Sequence, residues 1–275
     1  MAKQQSDSTE VHIVNVERGR VTFHLIGTAP LLHNCLNNKA RQELLLPSGR
    51  KTEAERKTTL KHQPLEEFRS SIYFNHRPEG PTLVQHLSSA FRGAMRSAAL
   101  DLPGVTKAEI GRLLWVDGDR VDIYGHPQID MRIVRQAGMN RTPDVRTRCI
   151  MPEWACAITV SFTKPQLKEQ AVANLITAAG LYIGIGDYRN EKGAGNYGLF
   201  RVCADKDPDY VRIRKAGRKV QEAAMKTPEP FNEETAELLT WFEGAVAEHR
   251  SFAPLTSASA SAKGKRRGKS SEAPS

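Results

Sequence analysis

Apolar positions fall into a few patterned segments separated by polar stretches. The run "VTFHLI", residues 21–26, is β-branched and aromatic and stops at Gly27, which predicts a buried strand. In "TLVQHLSSAFRGAMRSAALDL", Leu83, Leu87, Phe91, Met95 and Ala98 recur at spacings of three and four, predicting a helix over 82–101. "TKAEIGRLLWV" predicts a second, short helix opened by Thr106, with Glu109 at capping-box spacing. "QIDMRIVRQ", 128–136, alternates: Ile129, Met131 and Ile133 share one face, Asp130, Arg132 and Val134 the other. "EWACAITVSF", 153–162, alternates as well, and both segments predict strands. "KPQLKEQAVANLITAAGLYIG" sets Leu167, Val172, Leu175, Ile176 and Ala179 on one side and ends at glycines, predicting a helix over 166–182. "GLFRVCA", 198–204, predicts a last strand, and "EETAELLTWFEGAVAEHR" an amphipathic terminal helix.

The order of the strong elements is β-α-β-β-α-β. It predicts an α+β protein with a ferredoxin-like, RRM-like βαββαβ core, long insertions and a C-terminal helix. The expected division is a flexible N-terminus (1–18), an RRM-like domain (19–205) with insertions at about 47–64 and 103–127, a helical extension (206–252) and a disordered basic tail (253–275). "CLNNKARQELLL" suits a short helix ahead of the first insertion.

Composition narrows the function classes. A chain of 275 residues can bury a sizeable core. No apolar run approaches the ~20 residues of a membrane span, and the polar start "MAKQQSDSTEVH" has no signal-peptide core, so a cytoplasmic protein without a membrane partner is expected. The four cysteines are scattered without a C-x-x-C pair, and Cys156 and Cys203 sit in apolar runs as core thiols. Neither H-x-x-x-H, H-E-x-x-H nor a paired acidic set occurs, so no metal site is expected. The net charge of +9 suits a polyanionic partner. Five of the cations lie in the tail segment "KGKRRGK", so where the arginines of the folded part stand matters more than the total.

The candidate chemistry centres on "GIGDYRNEKGAGNYGLFRV", 184–202, which contains a literal G-x-G-x-x-G. A dinucleotide loop follows a strand and opens a helix. Here the glycines follow a helix and precede a strand, and no P-loop motif occurs, so no cofactor is expected. Two readings remain. One is a hairpin-like loop with glycines at positive φ. The other is a backbone grip on a nucleic-acid strand: Gly193, Gly195 and Gly198 allow close approach, Arg189 and Lys192 pair with phosphate, and Tyr188 or Tyr197 stacks on bases. The basic stretch "RQAGMNRTPDVRTR" carries Arg135, Arg141, Arg146 and Arg148, as a solvated loop or as a thumb-like excursion over a bound strand. Arg92 and Arg96, four apart on the first helix, serve phosphate or an internal carboxylate. Among eight histidines His33 is the candidate for chemistry, without an identifiable partner base; Asp117 and Asp119 in "VDGDR" mark a turn.

Three of these segments carry a family resemblance. "FHLIGTAPLLHN" resembles the first strand and turn of the RAMP superfamily, the Cas7-like and related CRISPR-associated RNA-binding proteins. "LSSAFRGAMRSAA" resembles its first-helix motif, and "KGAGNYGLFRV" its glycine-rich loop before the last strand. The chain is also similar to a group of phage proteins that share Pro152-Glu153-Trp154 and a "GxGDxR…YGxF" ending. The similarity spans about 20–204. It implies single-stranded DNA or RNA binding, with copies of the chain side by side on one strand. The competing readings it carries are a RAMP-type endoribonuclease, a guide-RNA-binding subunit, and a protein-binding adaptor.

Overall fold

The computed structural model describes residues 15–35, 45, 62–135, 143–192 and 195–252. In chain order its elements are β1 (Glu17–Gly27), β2 (Leu31–Leu32), α1 (Pro64–Ser70), β3 (Tyr73–Phe74), β4 (Val84–Leu87), α2 (Ser88–Ala98), α3 (Lys107–Leu113), β5 (Leu114–Val116), β6 (Arg120–Gly125) and β7 (Gln128–Arg135). They continue with β8 (Pro143–Met151), β9 (Trp154–Lys164), α4 (Glu169–Ala178), β10 (Phe200–Cys203), α5 (Pro208–Arg214), α6 (Arg218–Lys226) and α7 (Glu233–Phe252). The expected early N-terminus, nearly all of the short helix of 35–46 and of the first insertion, and the basic tail lie outside the described residues.

The main sheet is antiparallel and runs β10-β1-β9-β6-β4-β3, with β5 also paired to β9. If β1, β5 with β6, β9 and β10 are core strands one to four, their spatial order is 4-1-3-2. With α2 and α4 as crossovers this is the ferredoxin-like βαββαβ arrangement, and the protein is α+β. Phe23 and Leu25 of β1, Ile158, Val160 and Phe162 of β9, Phe91 and Met95 of α2 and Leu175 and Ile176 of α4 form one buried core. Alternation turns every second strand residue inward, and the three-four spacing turns one helix stripe toward them. Each such side chain contributes roughly 1.5–3 kcal/mol when fully buried.

The second core strand is not where the alternating pattern pointed. Residues 128–135 do form a strand, but β7 pairs with β8, and β8 with β2, in a separate three-stranded sheet. The core position is filled from within the expected 103–127 insertion, by β5 and β6. Leu114 faces Phe162 and Ile123 faces Cys156, so nine steps on one strand meet six on β9 (123 − 114 against 162 − 156). The surplus residues bulge out at the "VDGDR" turn, where Asp117 accepts a hydrogen bond from Ser161 (2.7 Å) and pairs with Arg20 (2.7 Å). A strand broken in this way shows no long alternation in sequence.

The C-terminal extension is built into the fold. On the outer face of the main sheet, Tyr210 and Ile213 of α5 bury Ile26 and Ala155. Gln221 of α6 is fully buried: its carbonyl accepts from the Leu83 and Val84 amides, and its amide donates to the Ile123 and Gly125 carbonyls. Thr235 of α7 accepts from the Met131 amide on β7 (3.3 Å). The expected core thiol Cys156 is buried, while Cys203 is half-buried. Among the described residues no helix is long and apolar enough to cross a membrane.

Candidate nucleic-acid interface

The glycine-rich loop leaves α4 through Gly184 and Gly186, both at positive φ (76° and 80°), and then closes on itself. The Ile185 amide donates to the Gly198 carbonyl (3.0 Å) and the Tyr197 amide to the Tyr188 carbonyl (3.1 Å). The turn after β1 supports it from below: Gly198 donates to the Pro30 carbonyl (2.7 Å), and Asp187 to the Leu32 carbonyl (3.0 Å). A Cβ on Gly198 would stand 1.8 Å from the Ile185 carbonyl oxygen, and one on Gly195 2.1 Å from the Tyr188 carbonyl oxygen. These two glycines therefore serve the loop's own closure.

That closure fixes the two tyrosines. Tyr188, itself at φ 55°, and Tyr197 meet edge to face, with ring centroids 5.5 Å apart. Above them lies the guanidinium of Arg132 on β7, 5.9 Å from one ring centroid and 5.6 Å from the other. Arg132 is held by two hydrogen bonds to the buried Asp130, one of them 2.8 Å from Nε to Oδ2. Burial acts to lower the Arg132 pKa, but hydrogen bonds to Asp130 and Tyr197 outweigh it, and the net shift is upward.

The β7–β8 register places Arg132 opposite Arg146, and Asp130 opposite Arg148. These four share the hairpin face that meets the loop. Arg148 is buried and ion-paired with Asp187 of the loop, which also accepts from Asn34 (3.1 Å). Burial lowers the Arg148 pKa, and the Asp187 charge opposes that shift. Arg146 is exposed. Arg135, also exposed, stands on the other face of the hairpin. Arg141 and Gly193 lie outside the described residues; Lys192 ends a short 3₁₀ turn, Asn190–Lys192.

On its other side the loop borders a cleft of about 290 Å³ against α2 and the start of α3. Arg96, Lys107, Arg189 and Glu191 line it. Arg189 donates to the Glu191 carboxylate (2.9 Å) and the Gly186 carbonyl (2.8 Å), and Ser97 donates to Glu191 (2.6 Å). Arg96 lies against Gly111, and its Nε is buried without a hydrogen-bond partner among the described residues. Arg92 is committed elsewhere: it donates to the Leu114 carbonyl (3.0 Å) and to that of Gly111, at the end of α3.

His33 is fully buried beside His86, ring centroids 5.6 Å apart. Burial, and secondarily His86, pushes its pKa well below 6.5, so the ring is neutral. The structure thus brings Arg146, Arg148, Tyr188 and Tyr197 together, places Arg96 and Arg189 behind them, and sets Arg92, Arg135 and His33 apart. The sequence reading missed Arg132, Asp130, Asp187 and Asn34 as members of this cluster. The signal for two of them was present: Asp130 and Arg132 are opposite charges at i, i+2, and so share a strand face.

The sheet face on which RRM domains stack bases is half covered here, by α5. Its open end carries Arg18 over the Trp115 ring (4.9 Å) and a Thr22–Thr159 hydroxyl pair (3.0 Å).

No family model matches the chain, and no curated protein matches it. Solved structures similar to it include a chain of Type III-B Cmr-beta bound to cognate target RNA, at 11% identity and TM-score 0.33, over 67% of this chain and 59% of that one. Another is Cmr6 from Pyrococcus furiosus, at 10% identity and TM-score 0.34, over 68% of this chain and 98% of that one. The chain thus spans less than two thirds of the length of the first of these.

Proposed function

We propose that the protein binds single-stranded nucleic acid, largely without regard to sequence, along the junction of the β7–β8 hairpin and the glycine-rich loop. The observation that carries this reading is the Tyr188–Tyr197 pair roofed by Arg132, with exposed Arg146 beside it. Tyr188 is 43% exposed, so its ring has a surface on which a base can stack. Base–aromatic stacking is worth ~1–3 kcal/mol per base and tolerates any sequence, because every base has a π-face. Arg146 neutralises phosphate next to the stack, and Arg189 and Arg96 extend the basic path past the loop. Arg132 and Arg148 act as positioning residues: Arg148 pairs with Asp187 of the loop, and Arg132, oriented by Asp130 on its own strand, lies over the loop's two tyrosines. Several copies side by side would continue the path along one strand. The site is a binder rather than a nuclease in this reading, since His33 is neutral and sealed in the core.

Titration of fluorescein-labelled single-stranded DNA and RNA with Tyr188→Ala and Arg146→Ala variants tests the assignment. Each change is expected to weaken binding about tenfold, similarly for unrelated sequences. Unchanged affinity in both variants would remove this junction from the site.

A further inference from the structure

A second cavity lies away from the glycine-rich loop, at the far edge of the main sheet. It measures about 790 Å³ and is lined by α1, the β3–β4 hairpin and the turn that opens β6. Its volume falls within the ~300–1,000 Å³ of small-molecule sites.

Three features of its wall belong together chemically. First, the Arg120 guanidinium stacks on Tyr73, 4.3 Å from the ring centroid, and Arg120 is exposed. A guanidinium packed on one face against an aromatic ring offers its other face to a second planar ring. Second, Phe74, 37% exposed, and His76 form an aromatic wall, with ring centroids 6.4 Å apart and planes tilted 31°. Third, two amides are fixed at the wall: Gln85 and Asn75 both donate to Asp122, at 2.8 and 3.4 Å.

Charge is also available. Arg69 is committed to the Met225 carbonyl (3.0 Å) and to Glu66 (3.2 Å). Among the described residues, by contrast, neither Arg77 nor Arg120 has a carboxylate partner. The backbone that carries Arg77 is pinned from both sides: its amide donates to Asn75 Oδ1 (3.2 Å), and its carbonyl accepts from Arg218 (2.7 Å).

We propose that this cavity binds a nucleotide, with the base stacked on the Arg120–Tyr73 pair and the phosphate held by Arg77. Of the two carboxylates that also line the cavity, Glu66 is paired with Arg69, and Asp119 makes no ion pair with Arg77 or Arg120. An inorganic anion would have no use for the aromatic wall, and an apolar ligand none for the two guanidiniums. The nucleotide has two sources with the same chemistry, a free mononucleotide or one residue of a bound strand; only the second rests on the strand-binding reading above.

Two arms test the proposal on the full chain. Calorimetric titration with AMP and UMP is expected to show saturable binding that weakens at least tenfold in Arg77→Ala/Arg120→Ala. Both residues are exposed, so circular dichroism of that variant is expected to match the parent. Inorganic phosphate alone is expected to bind at least tenfold more weakly than AMP. In the second arm, 5-iodouracil oligonucleotides are photo-crosslinked and the adducts mapped. Adducts on Tyr73 or Phe74 assign the pocket to the strand; mononucleotide binding without such adducts assigns it to a free nucleotide. Absence of saturable AMP and UMP binding together with absence of adducts at Tyr73 and Phe74 overturns the proposal, even if strands still bind through Tyr188. Loss of strand binding with mononucleotide binding retained overturns only the strand-binding reading.

Discussion

Arg148 on β8 and Asp187 in the glycine-rich loop are an ion pair between segments that the sequence keeps 39 residues apart. The arginine is buried and the aspartate half-exposed, so the pair locks the hairpin to the loop at the edge of solvent. Asp187→Ala strands a buried guanidinium. It is expected to destabilise the fold by about 2–3 kcal/mol, at the low end for a broken buried pair because Asp187 reaches solvent. Urea unfolding of the variant measures this, and Arg148→Met in the Asp187→Ala background is expected to recover part of the loss. A double variant no more stable than Asp187→Ala would mean that the pair does not hold the two segments.

The glycines separate by what surrounds them. Gly198→Ala drives a Cβ to 1.8 Å from the Ile185 carbonyl at φ 72°, and it is expected to cost more than about 2 kcal/mol and to loosen the loop. Gly93, inside α2, has nothing within 4 Å of its Cβ position. Gly93→Ala is expected to stabilise by about 0.5–1 kcal/mol through helix propensity alone. Thermal melts of the two variants are expected to shift in opposite directions.

Acid is expected to weaken the fold through the His33–His86 pair. Burial lowers the His86 pKa from 6.5 to about 4 and that of His33 well below 6.5. Both residues are neutral in the folded state, while the unfolded chain takes up protons as pH falls below 6.5. Stability is therefore fully present above pH 6.5 and declines toward pH 4. The His86 part is on the order of 3 kcal/mol. Denaturation midpoints measured from pH 7.5 to 4.5 check this, and His33→Leu/His86→Leu is expected to flatten the decline. An equally steep decline in the double variant would assign the effect to other groups.

Much of the architecture was legible in the chain. The alternation from Trp154 to Phe162 and the capping box at Thr106 and Glu109 are observed, and the three-four stripe holds within α2, from Phe91 to Ala98. The start of that expected helix is instead strand β4, Val84–Leu87, which pairs with β3 and β6. Local periodicity, however, reports that a strand is half-buried and not which partner it takes. The alternating β7 was therefore placed in the core sheet, while the broken β5–β6 passed as an insertion. The site was legible in the same partial way. Tyr188 and Tyr197 stood out because glycines and cations surround them. Arg132 did not, because its place over those rings depends on the β7–β8 register and on the buried Asp130, and both are long-range facts. Arg92 and Arg96 look alike in sequence; only the position of α3 separates the one that holds carbonyls from the one that lines a cleft.

The central claim is a strand-binding surface that combines charge neutralisation with stacking. Its most direct test is the affinity of the full chain for a 30-nucleotide single strand and for the matching duplex, from 50 to 300 mM salt, with Tyr188→Ala/Arg146→Ala alongside. The account predicts tighter binding of the single strand, a steep linear fall of log affinity with log salt, and a double variant whose remaining affinity is weaker at every salt and has a shallower slope. Equal binding of single strand and duplex, with the double variant unchanged throughout, would contradict it.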